Sequence, residues 1–183
     1  IQKTMKKEQS KEVHWFERLE ADIADTETGK SAITSQEWQQ IRQDLGFEKH
    51  IIQTYRWVHE MGLAMGISDQ PRQAYQALRS TLRALRDRLP PEEVFQFAAQ
   101  LPQHLRGIFF EQYTIAAKPD KMSAKDFLNR IREEGPSQLT INPKEIFTAT
   151  LQVLYQHVSE GELDDIYATM PDDIKQLWDE ARG

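Results

Sequence analysis

The chain has 183 residues, 39% hydrophobic and 28% charged, with a formal net charge of −6 at pH 7 and no cysteine. Disulfide frameworks, thiolate zinc sites and thiol nucleophiles are therefore excluded, and the negative balance disfavours general nucleic-acid binding, which needs a basic surface to neutralise phosphates. The length suits one domain with a full core, no apolar run nears the roughly 20 residues that cross a bilayer, and the polar opening IQKTMKKEQSKE has no signal-peptide hydrophobic stretch, so the chain reads as cytoplasmic.

Nearly every long segment carries the 3.6-residue period of a helix, and none alternates as a strand would. Val13, Phe16, Leu19 and Ile23 place a first helix over about 10–24, which the polar stretch 25–30 ends. Thr34 and Glu37 have capping-box spacing and open a short helix through Trp38, Ile41 and Leu45, stopped by Gly46. A longer helix follows from about Phe47 to Met65, closed by Gly66. Pro71 starts the next, which turns Ala74, Ala77, Leu78, Thr81, Leu82, Leu85 and Leu89 inward before Pro90-Pro91 halts it. A short helix carries Val94, Phe97 and Leu101, and Pro102 opens another with Leu105, Ile108 and Phe109 inward. The remaining starts are Ser123 with Asp126, Asn142-Pro143, Ser159 with Glu162, and Pro171.

The later half repeats the earlier one. Laying Leu101-Pro102 over Met170-Pro171 fixes an offset that, without a gap, also pairs Gly66 with Gly135, Thr81 with Thr150, Leu82 with Leu151, Leu85 with Leu154, Glu93 with Glu162 and Ala99 with Ala168. Leu89 falls on Val158, Val94 on Leu163, Phe97 on Ile166, Leu105 on Ile174 and Phe109 on Trp178. The expected fold is all-α: a helical bundle of two tandem four-helix units, about 48–113 and 114–183, related by a pseudo-twofold. A helical extension at 1–47, one or two helices long, precedes them. Negative charge concentrates in 114–183, with 13 acidic and 8 basic side chains.

The stretch AYQALRSTLRALRDRLPPEEVFQFAAQLPQHLRGIFF, with the later DFLNRI and GELDDIYATMPDDIKQLW, resembles a bacterial family catalogued as domain of unknown function 2267. The pattern LRALRDRLP, AAQLP, LR is its most specific part, and the resemblance covers about residues 50–180. It implies an all-helical, internally duplicated fold and brings no activity, cofactor or catalytic residue. Where the first copy has LRDRLP the second has LYQHVSE, so any role of those arginines belongs to the first copy.

Arg72, Arg79, Arg83 and Arg86 share one face of their helix beside the leucines, and their counterparts Ile141, Thr148, Gln152 and Tyr155 are uncharged. The stripe is a candidate site for an anion, an acidic partner or the negative second unit. The plainer reading is a solvated face whose long stems cover the rim of the core and pair with neighbours such as Asp87, Glu92 or Glu93. Tyr55, Tyr155 and His157, with Arg79, are candidates to line a pocket between the units, the usual place for ligands in helical bundles.

No catalytic or metal constellation accompanies these residues. Glu160, Glu162, Asp164, Asp165, Asp172 and Asp173 read as first-turn and solvated carboxylates rather than a calcium loop, which would need its glycine. None of His14, His50, His59, His104 and His157 has a glutamate three residues before it, as a di-iron bundle would require. No metal and no cofactor is expected. Aromatics such as Trp15, Phe16, Trp38, Trp57 and Phe110 outnumber what a small core must hide, and some are expected in a groove or interface. The leading expectation is a non-catalytic binding or regulatory module of the bacterial cytoplasm, with a protein partner or a second copy of itself and no membrane insertion. The alternative is a small-molecule-binding protein or enzyme with its pocket between the two units.

Overall fold

A computed structural model describes residues 40, 44–116, 118–137 and 141–182. The chain divides into two compact units, 1–46 and 47–183. The helices expected at 10–24 and from Thr34 lie outside the described residues, except that 40 and 44–45 are helical and Gly46 follows with φ +61°, a left-handed conformation glycine adopts without penalty.

Residues 47–183 are all-helical, with no strand among the described residues. The elements are α1 (Phe47–Ala64), α2 (Pro71–Arg88), α3 (Pro91–Gln100), α4 (Gln103–Phe110), α5 (Ala124–Glu134), α6 (Pro143–His157), α7 (Glu160–Thr169) and α8 (Asp172–Arg182). Local chemistry sets their starts. Pro71, Pro91 and Pro143 occupy first turns, where a missing N–H costs nothing. Ser123 and Asp126 form a reciprocal capping box on α5, the Asn142 side chain accepts from the Lys144 N–H, and the Ser159 hydroxyl accepts from the Glu162 N–H. No helix among the described residues is long and apolar enough to cross a membrane.

Helix α2 sits at the centre, packed against α1, α4, α5 and α6. Helices α1 and α5 also pack on α6; α4 rests on α1 and α2, α8 on α5 and α6, and α3 lies against α7. So enclosed is α2 that residues 80–87 are buried without a break, charged side chains included. One cluster of buried apolar side chains runs through all eight helices. Positions 69 apart share this burial: Leu82 and Leu151, Phe97 and Ile166, Val94 and Leu163, Phe109 and Trp178 are all in it, and Thr81 and Thr150 are buried beside it.

The glycine pair behaves differently. Gly66 turns the chain with φ +69°, whereas Gly135 has φ −79° and ψ −175°. A Cβ at Gly135 would come within 2.6 Å of the Ile131 carbonyl oxygen, so close approach rather than handedness calls for glycine there.

Glu93 and Glu162, also 69 apart, stand in the first turns of α3 and α7, which lie side by side. Each has a buried carboxylate oxygen without a hydrogen-bond partner among the described residues. Burial pushes the Glu162 carboxyl above its ordinary value, and the negative charges of Glu93 and Asp165 add to the push. A raised carboxyl favours folding while it is protonated and loses that contribution as pH climbs through its folded value. Glu162→Gln is accordingly expected to raise the melting temperature by about 2 °C at pH 7, an effect held small by solvent screening. At pH 4 the gain should vanish; equal gains at both pH values in thermal unfolding would refute the like-charge account.

Candidate functional site

The arginine stripe is turned inward. Arg72 is exposed at the start of α2, but the segment after α4 returns across the helix and engages the other three. Arg79 Nη2 lies 2.7 Å from Glu111 Oε2, and that guanidinium, by hydrogen bond first and charge second, holds the Glu111 carboxyl below its usual range. Arg83 donates to the Gln112 side chain at 3.1 Å and forms an ion pair with Glu134 of α5 at 3.2 Å. Arg86, its side chain only 3% exposed, donates from Nη1 to the Phe109 and Glu111 carbonyls at 2.6 and 2.9 Å. It also donates from Nε to Asp87 Oδ1 at 2.9 Å and lies over the Tyr113 ring.

Asp87 is the hub of this network. Besides Arg86 it meets Lys118 Nζ at 3.1 Å and Arg130 Nη1 at 2.9 Å, while its backbone carbonyl accepts the Asp120 N–H at 2.8 Å. Arginines that the helical period places on one outer face thus tie the connecting segment 111–120 and helix α5 to α2. Tyr155, 69 residues after Arg86, accepts instead from Trp178 Nε1 at 3.0 Å, with the Arg182 guanidinium over its ring.

Of Tyr55, Tyr155 and His157, the structure brings His157 alone to a cleft. Tyr155 is committed to Trp178, and Tyr55 lies on the outer face of α1. The cleft has a volume of about 220 Å³ and is lined by Gln53, Arg56 and Trp57 of α1, Gln100, Leu101 and Pro102 at the corner between α3 and α4, and His157 at the end of α6. The His157 ring stacks on Trp57, centroids 4.9 Å apart and planes 20° apart. Its Nε2 is hydrogen-bonded to Glu60 Oε2, one helical turn beyond Trp57. A carboxylate accepts, so Nε2 carries the hydrogen, and in the neutral form of the ring Nδ1 is the acceptor. Arg56, exposed on the same wall, makes no ion pair among the described residues.

A second hollow, about 410 Å³, is lined by Ala64, Asn142, Lys144, Glu145, Thr148, Ala149 and Gln152. Several of its polar groups are already occupied: Asn142 caps α6, Lys144 pairs with Glu180, and the Thr148 hydroxyl donates to the Lys144 carbonyl. Among the described residues no group of three or more His, Asp or Glu side chains is arranged to hold a metal ion. Glu160, Glu162, Asp172 and Asp173 occupy helix first turns.

The sequence reading missed Glu60, Arg56, Gln53 and Gln100, while Trp57 is one of the aromatics it expected in a groove or interface. Glu60 and His157 are 97 residues apart, and no spacing rule joins them. The one available signal was the pattern Arg56-Trp57-x-x-Glu60, which puts a cation, an aromatic ring and a carboxylate within one turn of α1.

An all-helical protein with its polar cleft at the meeting of α1, α6 and the α3–α4 corner is the class these observations define. The chain belongs to the family described as Uncharacterized conserved protein (DUF2267), whose model matches residues 54–177, from within α1 to within α8. No curated protein matches it.

Proposed function

We propose that the protein is a helical binding module whose recognition site is the cleft lined by Arg56, Trp57, Gln100 and His157. The observation that carries this reading is the His157 imidazole, held by Glu60 and backed by Trp57 at the edge of a hollow that also has two amides and a guanidinium without an ion pair among the described residues. A few convergent polar groups around a concave surface are what small-ligand recognition needs. Under this proposal residues 48–113 and 114–183 are two copies of one four-helix unit, and 1–47 is an extension. The equal bounds of α3 and α7 under a shift of 69, and the packing of α4 on α1–α2 beside that of α8 on α5–α6, support it. The cleft then lies where α1 of one copy meets the end of α6 of the other.

A protein partner or a second copy has a different surface to use. Ile52 and Leu63 are 53% and 57% exposed on the same helix, which favours self-association there. Protein-observed NMR with a library of small polar metabolites tests the first reading: compounds should shift the Trp57 indole and His157 ring signals, with loss of binding in Arg56→Gln. Light scattering of the same samples across a hundredfold concentration range tests the second. Silence at Trp57 and His157 rejects the cleft, and a constant monomer mass rejects self-association.

A further inference from the structure

Resting on the cleft reading above, we propose that the ligand is a small hydroxycarboxylate, its carboxylate on Arg56 and its hydroxyl on His157, with Glu60 as the positioning residue that sets the imidazole. The guanidinium of Arg56 is the cation on the cleft wall without an ion pair among the described residues, and its planar fork matches the two oxygens of a carboxylate. Glu60 fixes the acceptor. Because the carboxylate holds the hydrogen of Nε2, a neutral His157 presents Nδ1 as a lone pair, which calls for a donor on the ligand. The Gln53 and Gln100 side-chain amides line the same space and can donate to remaining oxygens. A simple carboxylate would use Arg56 and leave the imidazole unmatched; a hydroxyl beside the carboxylate satisfies both.

Charge and size narrow the class further. Arg56 and Glu60 together sum to zero, so a monoanion brings the neighbourhood to one net negative charge, and a phosphate dianion to two. At about 220 Å³ the hollow is also smaller than the roughly 300–1,000 Å³ of pockets for drug-sized ligands, which suits a molecule of a few carbons. The His157 ring is closed on one side by Trp57, so the ligand meets its edge rather than both faces.

The test compares lactate with propionate, which differ by one hydroxyl, and both with inorganic phosphate, by NMR titration of the full chain. Lactate should bind about tenfold more tightly than propionate, and phosphate should not shift the site at millimolar concentration. Arg56→Gln should weaken both carboxylates about tenfold or more. His157→Gln should bring lactate down to the level of propionate. For Glu60, the nitrogen chemical shifts of the His157 ring are the readout: the Nε2–H tautomer should dominate in the parent chain and mix with the Nδ1–H form in Glu60→Gln, with lactate affinity falling and propionate unchanged. Equal affinities for lactate and propionate, or an Nδ1–H tautomer in the parent chain, overturn the proposal. If a compound without a carboxylate shifts Trp57 and His157 while lactate does not, this inference fails and the cleft reading stands; if nothing shifts them, both fail.

Discussion

Asp87→Ala is expected to cost about 3–5 kcal/mol of stability, which for a protein of this length lowers the melting temperature by roughly 10 °C or more. The carboxylate is 5% exposed and meets three cations, Arg86, Lys118 and Arg130. Truncating it leaves Lys118 and Arg130 facing the buried Arg86 guanidinium with no carboxylate between them. Some compensation remains: Arg86 keeps the Phe109 and Glu111 carbonyls, and Lys118 keeps Asp120 at 3.0 Å. Those partners hold the loss near the lower end of the range. Replacing both members of the central pair, Asp87→Leu with Arg86→Met, should restore much of the stability, since an apolar pair avoids the desolvation that burial of ions costs. Urea denaturation of the single and double variants is the measurement. A loss under 1 kcal/mol for Asp87→Ala would mean the network is decoration on an already rigid loop.

That network marks where sequence reasoning stopped. The 3.6-residue period places Arg79, Arg83 and Arg86 on one side of α2 and the leucines on another, and both placements are local facts of a helix. What lies over the arginines is segment 111–120, which has no period and no helical residue among those described, so nothing in its pattern announces that Glu111, Gln112, Lys118 and Asp120 return to α2. Helix starts were legible for the opposite reason. A cap acts within three residues, and Ser123 with Asp126, Asn142 with Pro143 and Ser159 with Glu162 each carry the signal and the hydrogen bond that answers it.

The cleft divides the same way. His157 is a pocket candidate by residue type, but its meaning depends on Glu60 and Trp57, brought to it by the packing of α1 on α6. Tyr55 and Tyr155 illustrate the converse. Both looked suited to a pocket by residue type, yet one belongs to the outer face of α1 and the other serves as acceptor for the indole of Trp178. Residue type alone did not distinguish a pocket-lining tyrosine from one that completes the core.

Trp178→Ala should destabilise the fold by about 3–5 kcal/mol, and Phe109→Ala, 69 residues earlier, by a similar amount. Both side chains are fully buried. Trp178 meets Phe147 and Tyr167 edge-on, with centroids 5.8 and 6.0 Å away, and Phe109 meets Phe97 and Phe110 at 5.4 and 5.5 Å. Each truncation therefore loses apolar transfer energy, edge contacts and the dispersion that an unfilled cavity cannot provide. Trp178→Phe is the milder test: it keeps an aromatic ring in the core but removes the donor to Tyr155 together with part of the indole, so about 2–3 kcal/mol is expected. The decisive quantity is cooperativity. Because α2 touches α5 and α6 as well as α1 and α4, and one apolar cluster spans residues 57–178, either cavity should lower a single calorimetric transition for residues 47–183. If Trp178→Ala split the transition, melting α5–α8 while α1–α4 held, the two halves would be separate folding units pressed together, and the buried contacts of α2 with α6 would have to be weaker than their burial implies.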